Sequence, residues 1–291
     1  MSARAIDHLV LPTSSLNTAR ERLTKLGFTV APVGVHPFGT ANCCVYFKDD
    51  TFIEPLVQQQ PAAIGEAVEA CNMFVIRDEA YRSRRGQEGF SAVVFRTDDA
   101  TADHAAFEHS PYACGPMLEF SRDFVDATGK ADKAIFRLAF AADPRAPDFF
   151  LFTCQRVASP KVDRSALQDH SNGVTRIKSV ILAAPEPSHV DHFIRTISRF
   201  EEVEVPNRKL VYQLANASLE AMTNQNLMHF FGVPSTEDRG LQARVVVFGV
   251  SDVKATEHLL KSRGVACEKF AERLCVHPAP GQGAVFAFEA A

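Results

Sequence analysis

A short run of β-branched and apolar residues, then a polar turn, then a helix-like segment occurs four times in this chain. The four runs are centred on equivalent positions: Val10, Val94, Ile181 and Val247. The helix-like segments carry apolar residues at helical spacing, and a glycine, such as Gly27, ends the first of them. The copies lie too far apart for a solenoid, whose repeats are about 20–50 residues long. The pattern therefore predicts four separate strand–helix modules.

Further strand-like runs follow each helix, so each module is predicted as β-α-β-β-β. Four such modules, paired two by two, predict an α+β fold with two domains. We expect an N-terminal domain at residues 1–158 and a C-terminal domain of two shorter modules at 174–291. The polar stretch 159–173, which contains Pro160 and His170, is the expected linker.

Composition excludes several classes of protein. The net charge is −4, with lysine and arginine scattered, which disfavours a nucleic-acid-binding surface. No apolar stretch approaches the roughly 20 residues that span a bilayer, and the first residues lack the apolar core of a secretory signal. Seven cysteines without a CxxC pair favour free thiols in a reducing cytoplasm. The basic run at Arg82, Arg84 and Arg85 is expected in a solvated loop.

Two polar residues stand on otherwise apolar faces of predicted strands. Strand alternation places His8 on one face with Ile6 and Val10, and it places Glu54 on the apolar face of a later strand. An unpaired buried polar group is costly, so each needs a partner. They either bond to each other or share a cation, because histidine nitrogen and glutamate oxygen are ordinary ligands for transition metals. Two residues alone are not a metal signature.

A likeness to glyoxalase-like proteins of the vicinal oxygen chelate superfamily is carried by five segments: 5–11 (AIDHLVL), 36–42 (HPFGTAN), 52–56 (FIEPL), 149–155 (FFLFTCQ) and 170–173 (HSNG). The resemblance implies paired βαβββ modules whose U-shaped mixed sheets surround a cavity that often holds a divalent metal. It also implies that the histidine of the first strand and the glutamate of the fourth are ligands. Those positions are His8 and Glu54 here, and the implied metal is zinc, nickel, manganese or iron.

The chain departs from the family pattern in its other modules. Where a second first-strand histidine could stand, the chain has other residues: Ala92, Ser179 and Val245. The third module keeps a carboxylate, Glu220, and the sequence leaves open whether the C-terminal domain has a site of its own. Where relatives often carry a histidine after the closing strand, this chain has Arg156, which cannot ligate a metal. Arg156 is predicted to pair with Glu54 or to bind an anionic substrate.

His36 begins a turn that leads into the next predicted strand. It is either a cavity group in acid/base or ligand-orienting work, because histidine titrates near neutrality, or a turn histidine bonded to backbone. Thr40 and Asn42 offer a hydroxyl and an amide to a substrate, or cap the turn. Gln155 is a further predicted substrate contact.

The leading hypothesis is a cytoplasmic, glyoxalase-like lyase or isomerase that acts on a small oxygenated molecule, with Glu54 and His36 as catalytic groups. A divalent metal is an expected cofactor, and a small molecule is the expected ligand, without nucleic acid or membrane; a homodimer is left open. Two alternatives remain. One is a non-catalytic binding protein of the same fold. The other is a ring-cleaving dioxygenase, disfavoured because that type places its ligands in the C-terminal half, where Ser179 and Val245 stand.

Overall fold

Two mixed β-sheets with helices packed against them make up the chain. A computed structural model describes residues 2–125, 131–160, 163–201, 205, 209–234 and 240–291. One sheet is built from residues 6–158 and the other from 174–290. The predicted α+β class with two mixed sheets is confirmed. The domain limits at 158 and 174 stay a prediction, and residues 161 and 162 of the expected linker lie outside the described part.

Within the described residues, the first sheet has nine strands in the order β2-β3-β5-β1-β6-β9-β8-β7, with β4 paired to β5. The strands are β1 (Ile6–Pro12), β2 (Gly34–Val35), β3 (Thr40–Asn42), β4 (Val45–Tyr46), β5 (Phe52–Gln58), β6 (Ala92–Arg96), β7 (Leu118–Val125), β8 (Ala131–Ala141) and β9 (Phe150–Ala158). The helices of this half are α1 (Leu16–Lys25), α2 (Pro61–Glu69), α3 (Met73–Arg85) and α4 (Ala100–Glu108). Strands β1 and β6 lie antiparallel at the centre, and each has its module's closing strand beside it in parallel.

The second sheet has seven strands in the described ranges, in the order β11-β12-β10-β13-β16-β15-β14. They are β10 (Val174–Ala183), β11 (Leu210–Gln213), β12 (Ser218–Met222), β13 (Gln242–Val250), β14 (Glu268–Phe270), β15 (Arg273–Val276) and β16 (Val285–Ala290). The helices are α5 (Ser188–Ser198), α6 (Asn224–Phe231) and α7 (Val253–Ser262), preceded by a 3₁₀ turn at Ser165–Leu167. In the part of the chain described, no helix has the length and apolar character to cross a membrane.

The strand register repeats from module to module. In each, the central residue of the first strand pairs with an equivalent residue of the closing strand: Val10 with Glu54, Val94 with Phe152, Ile181 with Glu220, and Val247 with Ala287. The four first-strand positions that the sequence pattern equated therefore occupy equivalent places in the sheets. This register also identifies Phe152 and Glu220 as the counterparts of Glu54.

A core of aromatic and aliphatic side chains lies between the two sheets. Phe28 and Phe47 of the first half pack against Phe248 of the second, with ring centroids 5.4 and 5.7 Å apart. All three rings are buried, and a fully buried phenylalanine contributes about 1.5–3 kcal/mol through removal from water. The two halves therefore share one core, which leaves the opposite face of the first sheet free to surround a cavity.

Strand β1 is irregular where it carries its polar residues. Its pairing with β6 shifts register between Ile6 and His8. Ile6 consequently lies in the core between the sheets, whereas His8 and Val10 lie on the opposite face. The prediction that all three share one face was wrong for Ile6, because regular alternation fails at such an irregularity. The side chains of both Asp7 and His8 reach the cavity as a result.

Helices α2, α3 and α6 and strand β7 were not predicted from the sequence. The arginine run expected in a solvated loop lies in α3, where Arg82 is 8% exposed. Its Nε donates to Asp78 Oδ2 over 2.8 Å, and its Nη2 donates to the Leu56 carbonyl over 2.8 Å. The loop prediction was wrong because Arg82 is the partner of a buried carboxylate and of a strand-end carbonyl.

Candidate functional site

The face of the first sheet that points away from the shared core surrounds a cavity of about 90 Å³. Six phenylalanines form much of its wall: Phe38, Phe52, Phe74, Phe120, Phe136 and Phe152. The polar lining is concentrated in a few groups: Asp7, His8, His36, Asn42, Glu54, Arg122, Arg156 and Arg164. Ser159 is exposed, and it marks the opening to solvent. A mostly apolar cavity with a small number of polar groups is typical of a small-molecule binding site.

His8 is held by the residue before it. Its Nδ1 lies 2.7 Å from Asp7 Oδ1, and its ring stacks on Phe52 with centroids 4.4 Å apart. Burial alone would raise the pKa of Asp7, but the hydrogen bond and charge of His8, with the charge of Arg156, lower it below the ordinary value. Because Asp7 is therefore ionised, Nδ1 of His8 must be the donor. The remaining nitrogen, Nε2, points to Glu54.

Arg156 completes the surroundings of Asp7. Its Nη2 donates to both carboxylate oxygens of Asp7, over 3.0 and 2.8 Å. The sequence suggested Glu54 as a partner, but the structure pairs Arg156 with Asp7 instead. The reason is topological: Arg156 is on β9 and Asp7 is on β1, whereas Glu54 is on β5, one strand further away.

Glu54 is a buried carboxylate at the meeting point of three side chains. Asn42 Nδ2 donates to its Oε1 over 2.7 Å. His8 Nε2 lies 3.5 Å from Oε2, and His36 Nε2 lies 3.6 Å from Oε1. Burial raises the pKa of Glu54, against the lowering influence of His8, of the Asn42 hydrogen bond and of Arg122. Two imidazole nitrogens thus converge on a carboxylate that burial makes costly to ionise.

His36 is buried and neutral. Its Nδ1 is 2.8 Å from Thr40 Oγ1, and its ring stacks on Phe38 with centroids 5.0 Å apart. Burial, followed by the charges of Arg122 and His8, lowers the pKa of His36 to about 3. The Asn42 amide lies 3.4 Å from Nε2 and can only donate there, so we assign the proton to Nδ1. The Nε2 lone pair of His36 therefore faces Glu54 and the cavity.

The structure brings together most of the residues selected from the sequence. His8, His36, Asn42, Glu54 and Arg156 all line the cavity. Thr40 lies behind His36 and fixes its ring. Gln155 lies elsewhere: its side chain donates to the Asp98 carbonyl and accepts from the Ala100 amide at the start of α4. Neighbours on a strand alternate between faces, so Gln155 points away from the cavity that Arg156 reaches.

Three charged residues of the cavity were missed, and one of them, Arg164, stands in the stretch that was expected to be a linker. Asp7 directly precedes His8, and regular strand alternation would have placed the two side chains on opposite faces. The one sequence signal for Asp7 as a site residue was that an acidic residue stands next to the candidate histidine. Arg122 is on β7, a strand that the sequence pattern did not reveal. Nothing in the sequence around Arg122 distinguishes it from other arginines.

The positions that could complete a metal site are apolar in the second module. Ala92 is the counterpart of His8, and Phe152 is the counterpart of Glu54, and both are buried. In the described ranges, no group of three or more histidine, cysteine, aspartate or glutamate side chains forms a ready metal cluster. In the C-terminal half, Glu220 pairs with Lys209, whose Nζ lies 2.5 Å away.

Comparison with known proteins agrees with this architecture. A family model described as a glyoxalase-like domain matches residues 6–197. No curated protein matches the sequence. Among solved structures, a hypothetical protein from Staphylococcus aureus is similar in fold, with a TM-score of 0.66 and 12% identity over 98% of this chain and 99% of that chain.

Two further solved structures have informative names. A triple mutant of 4-hydroxymandelate synthase from Streptomyces coelicolor is similar with a TM-score of 0.58 and 12% identity, over 99% of this chain and 92% of that one. The Mn(II)-bound glyoxalase from Novosphingobium aromaticivorans gives a TM-score of 0.53 and 10% identity, over 99% and 82%. At such identities the likeness concerns the fold. Because the family model covers most of its length, the chain belongs to the family of proteins with a glyoxalase-like domain.

Proposed function

We propose that this protein is a glyoxalase-like enzyme of lyase or isomerase type that moves a proton on a small oxygenated molecule held in the cavity. The observation that carries the proposal is the convergence of His8 Nε2 and His36 Nε2 on the Glu54 carboxylate, at 3.5 and 3.6 Å. These separations are longer than good hydrogen bonds. The two Nε2 atoms and the carboxylate therefore face one another without good hydrogen bonds between them. A proton, a cation or a ligand placed among them would supply the missing interactions.

The surroundings of these groups support a functional role. All three side chains are at least nine-tenths buried, and burial is costly for polar atoms whose neighbours lie beyond good hydrogen-bond distance, as the two Nε2 atoms and the carboxylate do. Strain of that kind is typical of sites where acid/base groups are prepared for reaction. Asp7 and Thr40 hold the two imidazoles so that each Nε2 faces the cavity.

The roles of the residues follow from their protonation. Glu54 is the proton acceptor for a carbon next to a substrate carbonyl, and Asn42 orients its carboxylate. His36, neutral and with its lone pair toward Glu54, accepts a hydrogen bond from the protonated carboxyl, and Glu54 then hands the proton on to a second substrate atom. His8, oriented by Asp7, lies on the other side of Glu54 and orients the substrate oxygens. The phenyl walls exclude water from the proton transfer.

A divalent metal is compatible with this donor set. His8 Nε2, Glu54 and His36 Nε2 would hold it, and two imidazoles with one carboxylate suit zinc, nickel, manganese or iron. The bonds from Asp7 and Thr40 to the far nitrogens are of the kind that orient metal-binding histidines. When bound, the metal would act as a Lewis acid that polarises a substrate carbonyl.

Metal content tests the cofactor independently of turnover. We would purify the protein without chelator or added metal and compare the wild type with a His8→Ala/Glu54→Ala double variant by elemental analysis. Glu220→Ala is the matched control, because Glu220 occupies the equivalent register position. About one equivalent in the wild type and the control, lost in the double variant, supports the metal. Absence of metal from all three, also after incubation with each of the four metals, would contradict it.

Solvent hydrogen exchange tests the proton transfer. We would incubate the protein in deuterated water with 2-oxoaldehydes and 2-hydroxyketones and measure deuterium at carbon by mass spectrometry. We expect exchange with wild type and with Glu220→Gln, and none with Glu54→Gln. Equal exchange with wild type and Glu54→Gln would exclude Glu54 as the base.

The second candidate is a non-catalytic binding protein of the same fold. One observation favours it. The second-module positions that correspond to His8 and Glu54 carry Ala92 and Phe152, so the second module supplies no polar group from either position. Ligand-dependent stabilisation of the wild type without exchange or turnover on any substrate in the panel would decide for this candidate.

A further inference from the structure

The cavity contains more positive than negative charge. Three arginines line it, Arg122, Arg156 and Arg164, against two carboxylates, Asp7 and Glu54. A charged group in a poorly solvated space needs compensation. Negative charge on a ligand would reduce this excess.

The three arginines differ in how far they are already engaged. Arg156 is committed to Asp7 by two hydrogen bonds. The Arg164 guanidinium lies over the Tyr46 ring, 4.8 Å from its centroid, near the exposed end of the cavity. Arg122 lies over the Phe136 ring at 5.6 Å, and among the residues that the structure describes it forms no ion pair. A stacked guanidinium is oriented by the ring, and its N–H edges remain free for a carboxylate.

Arg122 is placed beside the proposed catalytic groups by the closure of the sheet. A Cβ added to Gly34 would lie 2.9 Å from Arg122 Nη1 and 2.7 Å from Asn42 Oδ1. The guanidinium of Arg122, on edge strand β7, therefore lies against Gly34 of the other edge strand, β2, in space that a side chain at Gly34 would fill. This approach brings a positive charge next to the Asn42–Glu54 pair.

The remaining wall accepts an apolar body of limited size. Phe120 stacks on Phe136 with centroids 5.1 Å apart, and Phe120 also meets Phe38 at 5.2 Å. The cavity of about 90 Å³ is smaller than the engineered cavity of roughly 150 Å³ that binds benzene. A one-ring acid would therefore fill the cavity and reach into its opening, and a larger occupant would extend into solvent.

We propose that the ligand is a small monocarboxylate with an apolar body of ring size, and that Arg122 binds its carboxylate. The proposal rests on the proposed function in one respect: the cavity occupant is taken to be the substrate. Arg122 would then determine specificity by anchoring the carboxylate, and the phenyl wall would hold the body. Arg156 would remain with Asp7 and leave substrate charge to Arg122.

Calorimetric titration with matched pairs of probes tests this assignment. Benzoate and phenylacetate each have a neutral isostere, benzamide and phenylacetamide, and acetate has the charge without the body. We expect each aromatic acid to bind the wild type about tenfold to a hundredfold more tightly than its amide, because a hydrogen bond to a charged group is worth that much. We expect acetate to bind more weakly than benzoate, because it lacks the apolar contacts.

Four variants locate the anchor. Arg122→Gln should abolish the preference for acid over amide, and Arg122→Lys should retain part of it. Arg137→Gln is the matched control, since Arg137 is on the neighbouring strand, pairs with Glu119 and does not line the cavity. Arg164→Gln should keep the preference. If Arg122→Gln does not fold by circular dichroism, Arg122→Lys still decides. The anchor is overturned if Arg122→Lys binds the amides with a changed affinity but prefers the acids over them as strongly as the wild type does.

The outcomes separate this proposal from the proposed function. Equal affinity for acids and amides in the wild type, no binding of either, or a preference that survives Arg122→Gln overturns the carboxylate anchor whatever the exchange experiment shows. Conversely, Glu54→Gln should lose hydrogen exchange and keep the acid preference. If exchange is absent from the wild type, with aryl 2-oxoacids as well as with the neutral carbonyl compounds, while the acid preference depends on Arg122, the anchor stands and the proposed chemistry falls.

Discussion

The Asp7 carboxylate accepts a hydrogen bond from Nδ1 of His8, the next residue in the chain, over 2.7 Å. Adjacent residues on a regular strand point to opposite faces, so this contact depends on the register shift between Ile6 and His8. The same carboxylate accepts two hydrogen bonds from Arg156. A short irregularity in one strand thereby orients an imidazole and assigns the proton on it.

We expect Asp7→Asn to reduce turnover about 10- to 100-fold, the usual effect of removing the partner that orients a functional histidine. The neutral amide no longer requires Nδ1 to be the donor, and it leaves Arg156 without its counter-charge. Nitrogen-15 spectra of labelled histidine should show a changed tautomer for His8. Asp143→Asn is the control, because Asp143 is an equally buried aspartate paired with an arginine, Arg145, outside the cavity. An unchanged His8 spectrum in Asp7→Asn would contradict the assigned role.

Glu54→Gln should lower turnover by about two to four orders of magnitude, as expected for loss of a general base. It should also leave the melting temperature unchanged or raise it. Burial raises the pKa of Glu54, so the ionised carboxylate is less favourable in the folded chain than in the unfolded one. Glu220→Gln, at the same register position with Lys209 as its partner, should leave turnover unchanged. A melting temperature that falls only in Glu54→Gln would show a structural role.

Protonation of His170 should make the folded chain less stable in mild acid. Its Nδ1 accepts from the Thr29 amide over 3.0 Å, and its Nε2 donates to the Tyr46 carbonyl over 2.9 Å. Burial lowers the pKa of His170, against the raising influence of Tyr46 and Asp169. Below about pH 6.5 the unfolded chain therefore binds a proton at His170 that the folded chain does not. The free energy of unfolding consequently decreases as the pH is lowered, until the pKa of His170 in the folded chain is reached.

The His170 effect is measured as the difference between wild type and His170→Gln in urea unfolding at several pH values. Glutamine keeps one donor and one acceptor but does not titrate. We expect the wild type to lose stability relative to the variant from pH 7 to pH 5, by at most about 1.4 kcal/mol per pH unit. Parallel curves for the two proteins would contradict the prediction.

Phe248→Ala should destabilise the whole chain. The ring is fully buried and packs on Phe28 and Phe47 across the space between the sheets, and such a truncation typically costs about 3–5 kcal/mol. Met228→Ala is the control, since Met228 is 56% exposed. Unfolding followed by circular dichroism should show one transition shifted to lower denaturant. A variant in which only the C-terminal half unfolds earlier would show that the shared core couples the halves weakly.

Local sequence patterns were sufficient for the repeated units. The first strands and the helices α1, α4, α5 and α7 follow from apolar spacing and terminal signals, which depend on residues close in sequence. Helices α2, α3 and α6 were missed because their apolar positions are shaped by what packs on them: Arg82 is buried only because Asp78 and the end of β5 meet it. Strand β7 was missed for a similar reason: the side chains that it places in the cavity, Phe120 and Arg122, meet residues of β2 and of the turn between β2 and β3 that are distant in the chain.

By itself, the sequence determined the four-module α+β plan and placed His8 and Glu54 on strands where a polar side chain needs a partner. It did so because strand and helix periodicity and the cost of burying polar groups are local properties. The tertiary structure alone decided that Arg156 pairs with Asp7, that His36 reaches Glu54, that Gln155 faces away and that Arg122 enters the cavity. Each of these depends on a register shift, a strand order or the closure of a sheet, which bring together residues distant in the chain.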